Sequence, residues 1–159
     1  MDVIFATSRK TASSAPMCSN SYYTVAFDNS EKYGYCSVNV PIAHEIGAID
    51  VNLNGETDKF FKFEKHKQLN LDGVIDSVKE NSFEEAIVFV HGFNVKFEEA
   101  LYRAAQIKFD MKFPGAIVVY TWPAGAEEGF FNQLLISGTY KNNFQNAKSS
   151  ITGFKNFLK

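Results

Sequence analysis

Ala86-Ile87-Val88-Phe89-Val90-His91-Gly92-Phe93-Asn94 is the stretch on which the fold of this chain turns. Five consecutive apolar residues read as a strand of the kind found in parallel sheets that are covered on both faces. The run stops at His91-Gly92-Phe93-Asn94, which reads as a turn. Phe97, Leu101, Ala104 or Ala105, and Lys108-Phe109 then follow at three- and four-residue steps, which predicts a helix from Phe97 to Met111. Pro114-Gly115 ends it, and Ala116-Ile117-Val118-Val119-Tyr120 supplies a second apolar run. Such a strand–helix–strand unit is a right-handed crossover with parallel strands.

Upstream, Val3-Ile4-Phe5-Ala6-Thr7 predicts a first strand, and the small polar residues Thr11 to Asn20 a loop. Tyr35 to Val40 alternates around Cys36, Val38 and Val40 and is stopped by Pro41. Lys59 to Glu64 alternates charge with Phe61 and Phe63, after turn chemistry at Asn52 to Glu56. Leu71, Val74, Ile75 and Val78 have helical spacing. Downstream, Gly125 to Gly138 reads as loop with a short helix around Phe130 to Ile136. Phe144, Ala147, Ile151, Phe154 and Leu158 mark a C-terminal amphipathic helix. The order implies one α/β domain over residues 1–159, with a mixed sheet that is antiparallel at its N-terminal edge and parallel in the centre.

Composition narrows the function. Hydrophobic residues make up 45% of the 159 and charged residues 21%, enough apolar material for a sizeable core. The 16 Phe and 7 Tyr read as core packing rather than a binding platform. A net charge of -2 without a basic stripe argues against nucleic acid. No apolar run reaches the roughly 18 residues of a spanning helix, and Met1 to Thr7 lacks the basic region of a signal peptide. The expected location is cytoplasmic. Cys18 and Cys36 are read as two ordinary thiols in a reducing compartment, with a disulfide between them as the alternative. No nucleotide-binding glycine loop occurs, and no cofactor is expected. His44, His66 and His91 lack metal-ligand spacing, so no metal site is expected.

Chemistry points to Val88–Asn94. A hydrolase acting on an acyl group must stabilise an oxyanion, and rigid backbone N–H groups at a strand end do this. A glycine just after the strand lets the backbone turn sharply and approach a substrate. The chain here resembles a bacterial branch of the α/β-hydrolase superfamily whose members are mostly of unassigned function. The matching residues are Phe5-Ala6-Thr7 with Arg9; Tyr33 to Val38, Pro41 and His44-Glu45-Ile46-Gly47; Val88 to Phe97; Glu99 to Gln106; Phe113-Pro114-Gly115; Tyr120-Thr121-Trp122-Pro123; and Tyr140, Ala147 and Ser150.

The resemblance implies a partial three-layer α/β-hydrolase sandwich and a serine hydrolase of esterase or lipase type. His91 and Gly92 are implied as the oxyanion-loop pair, and Phe93 as the residue whose N–H points at the oxyanion. His91 shapes this loop and is not the triad base. Asn94 and Trp122 are candidate substrate contacts, Trp122 being equally readable as core. The resemblance also exposes a gap. No G-x-S-x-G occurs, and Gly34-Tyr35-Cys36-Ser37-Val38 lacks the closing glycine. The order Ser, acid, His places the whole triad beyond Lys159, so the expectation is a truncated or split enzyme.

Each of these residues also has a structural reading. His91 hydrogen-bonds nearby backbone and fixes the turn; His44 and His66 do nothing beyond the surface; Glu98 and Glu99 complement a helix dipole; Glu127 and Glu128 are a solvated loop. Two functions follow: an acyl hydrolase completed by residues supplied elsewhere, or a non-catalytic hydrolase-like domain that binds or does nothing. A sheet ending at the Tyr120 strand is expected to expose an edge and an apolar face, and so to self-associate or take a complementing chain.

Overall fold

A computed structural model describes every residue except 13, 81–82 and 127–135. In chain order the elements are β1 (Asp2–Thr11), β2 (Tyr23–Asn39), β3 (Lys62–Leu69), α1 (Leu71–Glu80), β4 (Ala86–Val90), α2 (Phe97–Asp110), β5 (Ala116–Thr121) and α3 (Ile136–Phe157). The five strands form one sheet in the order β3-β2-β1-β5-β4. β2 runs antiparallel to both of its neighbours, β3 and β1, whereas β1–β5 and β5–β4 are parallel. The sheet is therefore mixed, with its antiparallel part at the N-terminal edge, and the β4–α2–β5 crossover joins neighbouring parallel strands.

Strand order departs from expectation in one consequential way. β5 does not end the sheet: it sits between β1 and β4, and all six of its residues are buried. β4 is the edge. Its composition matches that of β5, but exposed and half-buried residues alternate along it, with Val88 and Val90 exposed. A continuous apolar run marks a strand meant to be covered; it does not say on how many sides the described residues cover it. The open edge and apolar face thus belong to β4.

Side chains alternate between two layers. Val3, Phe5, Cys36, Val38, Ile117 and Val119 face α2, which contributes Phe97, Ala100, Leu101, Ala104 and Ala105. Ile4, Ala116 and Val118 face the other way, towards Val74 of α1 and Phe157 of α3. Phe5, Tyr23 and Phe97 pack with ring centroids 4.3–5.3 Å apart, so these aromatic residues serve the core.

Other departures are local. β2 begins at Tyr23, well before the alternation at Tyr35, because its polar first half pairs with the extended end of β1. β3 runs Lys62–Leu69 rather than Lys59 to Glu64. The short helix expected around Phe130, and Glu127 and Glu128, lie outside the described residues. Cys18 and Cys36 are joined in a buried disulfide that ties the loop after β1 to the C-terminal part of β2. This corrects the reading as free thiols: folding brings two cysteines 18 positions apart to a Cα separation of 6.1 Å, within reach of a bridge. The chief ground for a reducing compartment goes with it. His66 is exposed as expected, but His44 is not a bystander. Its imidazole packs edge-on against Phe61 and Phe109, lies 2.9 Å from Asp110 Oδ1, and fastens the loop after β2 to the end of α2. Among the described residues no helix is long and apolar enough to cross a membrane.

Candidate functional site

Parallel strands β1, β5 and β4 end on the same side of the sheet, and their C-terminal ends carry Thr7 and Arg9, Thr121 and Trp122, and His91 to Asn94. This is where open α/β sheets place ligands. Inward alternation along β1 (Val3, Phe5, Thr7, Arg9) ends in a charge, and Arg9 is completely buried. Its guanidinium donates to four oxygens: Nε to Thr121 Oγ1 at 2.9 Å, one terminal nitrogen to Ala124 O at 2.9 Å and Thr24 O at 3.3 Å, and the other to Val95 O at 2.9 Å. None is a carboxylate. Burial lowers the Arg9 pKa to about 9, opposed by the negative charge of Glu99, so the group remains a cation at neutral pH.

His91 is linked to this cation through Thr121 Oγ1. Its ring is nearly buried, with Nδ1 2.9 Å from Gly92 O and Nε2 3.1 Å from both Thr121 Oγ1 and Trp122 O. Desolvation, then the charge of Arg9, lower its pKa to about 4, against smaller opposing effects of the Gly92 and Trp122 carbonyls; the imidazole is neutral at physiological pH. Thr121 Oγ1 and His91 Nε2 form a hydroxyl–imidazole pair, but not a nucleophile. Thr121 is completely buried, its hydroxyl already accepts from Arg9, and His91 Nδ1 faces a carbonyl rather than an acid. Among the described residues no serine hydroxyl contacts a histidine.

The turn beyond His91 is held at several points. Asn94 takes a left-handed conformation (φ 58°), which asparagine tolerates better than most residues. Its N–H donates to Asn143 Oδ1 at 3.2 Å. Asn143, buried in α3, also accepts from Gly125 N and donates to Gly125 O, both at 3.0 Å, so one amide joins the turn to the segment after β5. Lys96 N donates to Glu99 Oε2, and Asn20 and Glu98 exchange two backbone-to-side-chain bonds at the start of α2. Glu99 thus satisfies the N-cap N–H, Asn20 satisfies the helix N–H of Glu98, and both acids complement the dipole.

Gly92 and Phe93 are exposed. A Cβ on Gly92 would meet nothing within 4 Å, so the glycine leaves open space at the loop surface. Among the described residues nothing accepts a hydrogen bond from Phe93 N–H. The Phe93 ring leans on Tyr140 of α3, centroids 5.6 Å apart. On the α2 side a cleft of about 630 Å3 runs from His91 and Gly92 past Phe89 and Ala100 to Ile49 and Val51, with Glu98 and Glu99 on its rim. Trp122 stacks on His91 and donates Nε1–H to His91 O at 3.0 Å. The residues proposed from sequence therefore converge at one place. Sequence reasoning gave no role to Arg9, Thr121 or Asn143; the visible signal for Arg9 was a cation continuing the inward alternation of a buried strand. Among the described residues no cluster of three metal-ligating side chains occurs.

A family model described as alpha/beta hydrolase of unknown function (DUF900) matches residues 66–159, more than half of the chain. Neither a curated protein nor a solved structure matches it.

Proposed function

Because the chain belongs to this family of α/β hydrolases of unknown function, we propose that residues 1–159 carry the oxyanion-binding part of an esterase- or lipase-like serine hydrolase. The observation that carries the reading is the exposed Gly92–Phe93 peptide at the end of β4, set on a buried, hydrogen-bonded base. In acyl transfer a serine attacks the ester carbonyl and negative charge builds on its oxygen; Phe93 N–H supplies one donor to that charge. Gly92 leaves room for the carbonyl to approach, Asn94 fixes the turn, and Trp122 braces it through His91 while its half-exposed ring remains a candidate substrate contact. The substrate class is a small ester or related acyl compound.

The reaction also needs a serine elbow, an acid and a triad histidine; the sequence has no G-x-S-x-G, and among the described residues no serine, acid and histidine come together. In this reading they come from a polypeptide segment whose strand pairs with the open edge of β4, beside the oxyanion loop. Such a strand would cover Val88 and Val90, and a second copy of the chain competes for the same edge.

The test is turnover of p-nitrophenyl esters by the purified chain alone, and again with any adjacently encoded polypeptide bearing G-x-S-x-G, an acid and a histidine. Activity that appears only in the mixture, and is abolished by a serine-directed phosphonate, supports the reading. Phosphonate-sensitive turnover by the chain alone overturns the missing nucleophile. Inactivity in both supports the alternative, a non-catalytic hydrolase-like domain.

A further inference from the structure

The buried polar groups under the loop form a chain of hydrogen bonds whose direction is fixed by chemistry. Arginine can donate but not accept. Arg9 Nε–H therefore gives its proton to Thr121 Oγ1, and that bond uses the threonine as acceptor. The one hydroxyl proton of Thr121 must go elsewhere, and among the described residues its acceptor is His91 Nε2 at 3.1 Å. A neutral imidazole has one N–H. With Nε2 accepting, the proton sits on Nδ1, where it donates to Gly92 O at 2.9 Å. The opposite tautomer would leave the Nδ1 lone pair facing only that carbonyl, with no donor in reach. It is disfavoured although Trp122 O, also 3.1 Å from Nε2, would welcome it.

We propose that Arg9 is a positioning residue: through Thr121 and His91 it fixes the Gly92 carbonyl, and thereby the direction in which Phe93 N–H points. The last step is geometric. Gly92 C=O and Phe93 N–H belong to one planar trans peptide and point in opposite directions. Holding the carbonyl inward against His91 turns the N–H outward. The relay is anchored at its head by three further bonds from Arg9, to Thr24, Val95 and Ala124, so the cation cannot swing away. The inference deepens the oxyanion reading and rests on it for its consequence, but the relay is a property of this chain alone.

The experiment uses nitrogen-15 NMR of the chain at neutral pH. In the wild type, His91 is expected neutral with its proton on Nδ1, and Arg9 Nε–H protected from exchange. In Thr121→Val the proton moves to Nε2, Arg9 Nε–H exchanges freely, and the order parameter of the Phe93 N–H falls from that of rigid backbone, about 0.85, to below about 0.6. Thr121→Ser, which keeps the hydroxyl, restores all three readings. A wild-type His91 carrying its proton on Nε2 overturns the proposal, as does an Arg9 Nε–H exchanging like that of free arginine; neither requires a variant to fold. None of these readings involves substrate. An intact relay in a chain that no complementing polypeptide activates would leave the relay standing and the hydrolase reading fallen.

Discussion

Trp122 grips His91 twice: its indole Nε1–H donates to the His91 carbonyl at 3.0 Å, and its ring lies 5.2 Å from the imidazole, tilted by only 18°. The residue after β5 thereby holds the residue after β4, and the strand ends that carry the site are locked to each other. Trp122→Phe keeps most of the stacking but orphans the carbonyl. Expected is a loss of about 1–2 kcal/mol in unfolding free energy, at an unchanged denaturant slope. Circular dichroism is the probe, since Trp122 is the only tryptophan. No measurable loss would mean that water replaces the indole.

His91 makes stability depend on pH in a definite direction. Its pKa is about 4 in the fold against 6.5 as a reference, owing to burial first and Arg9 second. Between those values the unfolded chain binds a proton that the native chain refuses, so stability rises with pH. The contribution is complete above pH 6.5 and is lost as pH falls towards 4, by about 3 kcal/mol. His91→Gln removes it: the stability difference between wild type and variant should shrink by about that amount between pH 7 and pH 4. A difference that stays constant would show that His91 titrates normally.

Cys18 and Cys36 close a loop across a sequence separation of 18. A bridge of that span is worth about 3 kcal/mol through the unfolded state. Non-reducing mass spectrometry after alkylation should find no free thiol, and the Cys18→Ser, Cys36→Ser double variant should unfold at correspondingly lower denaturant. Full alkylation of the native, unreduced chain would contradict the pairing.

Among the described residues nothing pairs with the outer edge of β4, beside exposed Val88 and Val90, and no charge or proline among its five residues discourages pairing. Such an edge associates. Sedimentation velocity is expected to show concentration-dependent dimerisation, and Val88→Lys to abolish it while changing stability by under about 0.5 kcal/mol. A wild-type chain that stays monomeric at high concentration and binds no apolar dye refutes this.

Periodicity and punctuation, which act over a few residues, were enough to read the β4–α2–β5 crossover and the place of the His91–Asn94 turn. The resemblance carried by Val88 to Phe97 supplied the hydrolase family. Those features are local because a strand, a turn and a helix are each specified by adjacent side chains. Only the tertiary structure decided that β5 lies inside β4, since two equally apolar strands have the same local signature and differ only in their neighbours. Only it could join Cys18 to Cys36, or bring Arg9, Thr121 and His91 within hydrogen-bond distance across separations of 112 and 30 residues. A buried cation is tolerable only where the fold has gathered oxygens around it, and no stretch of sequence announces which oxygens those will be.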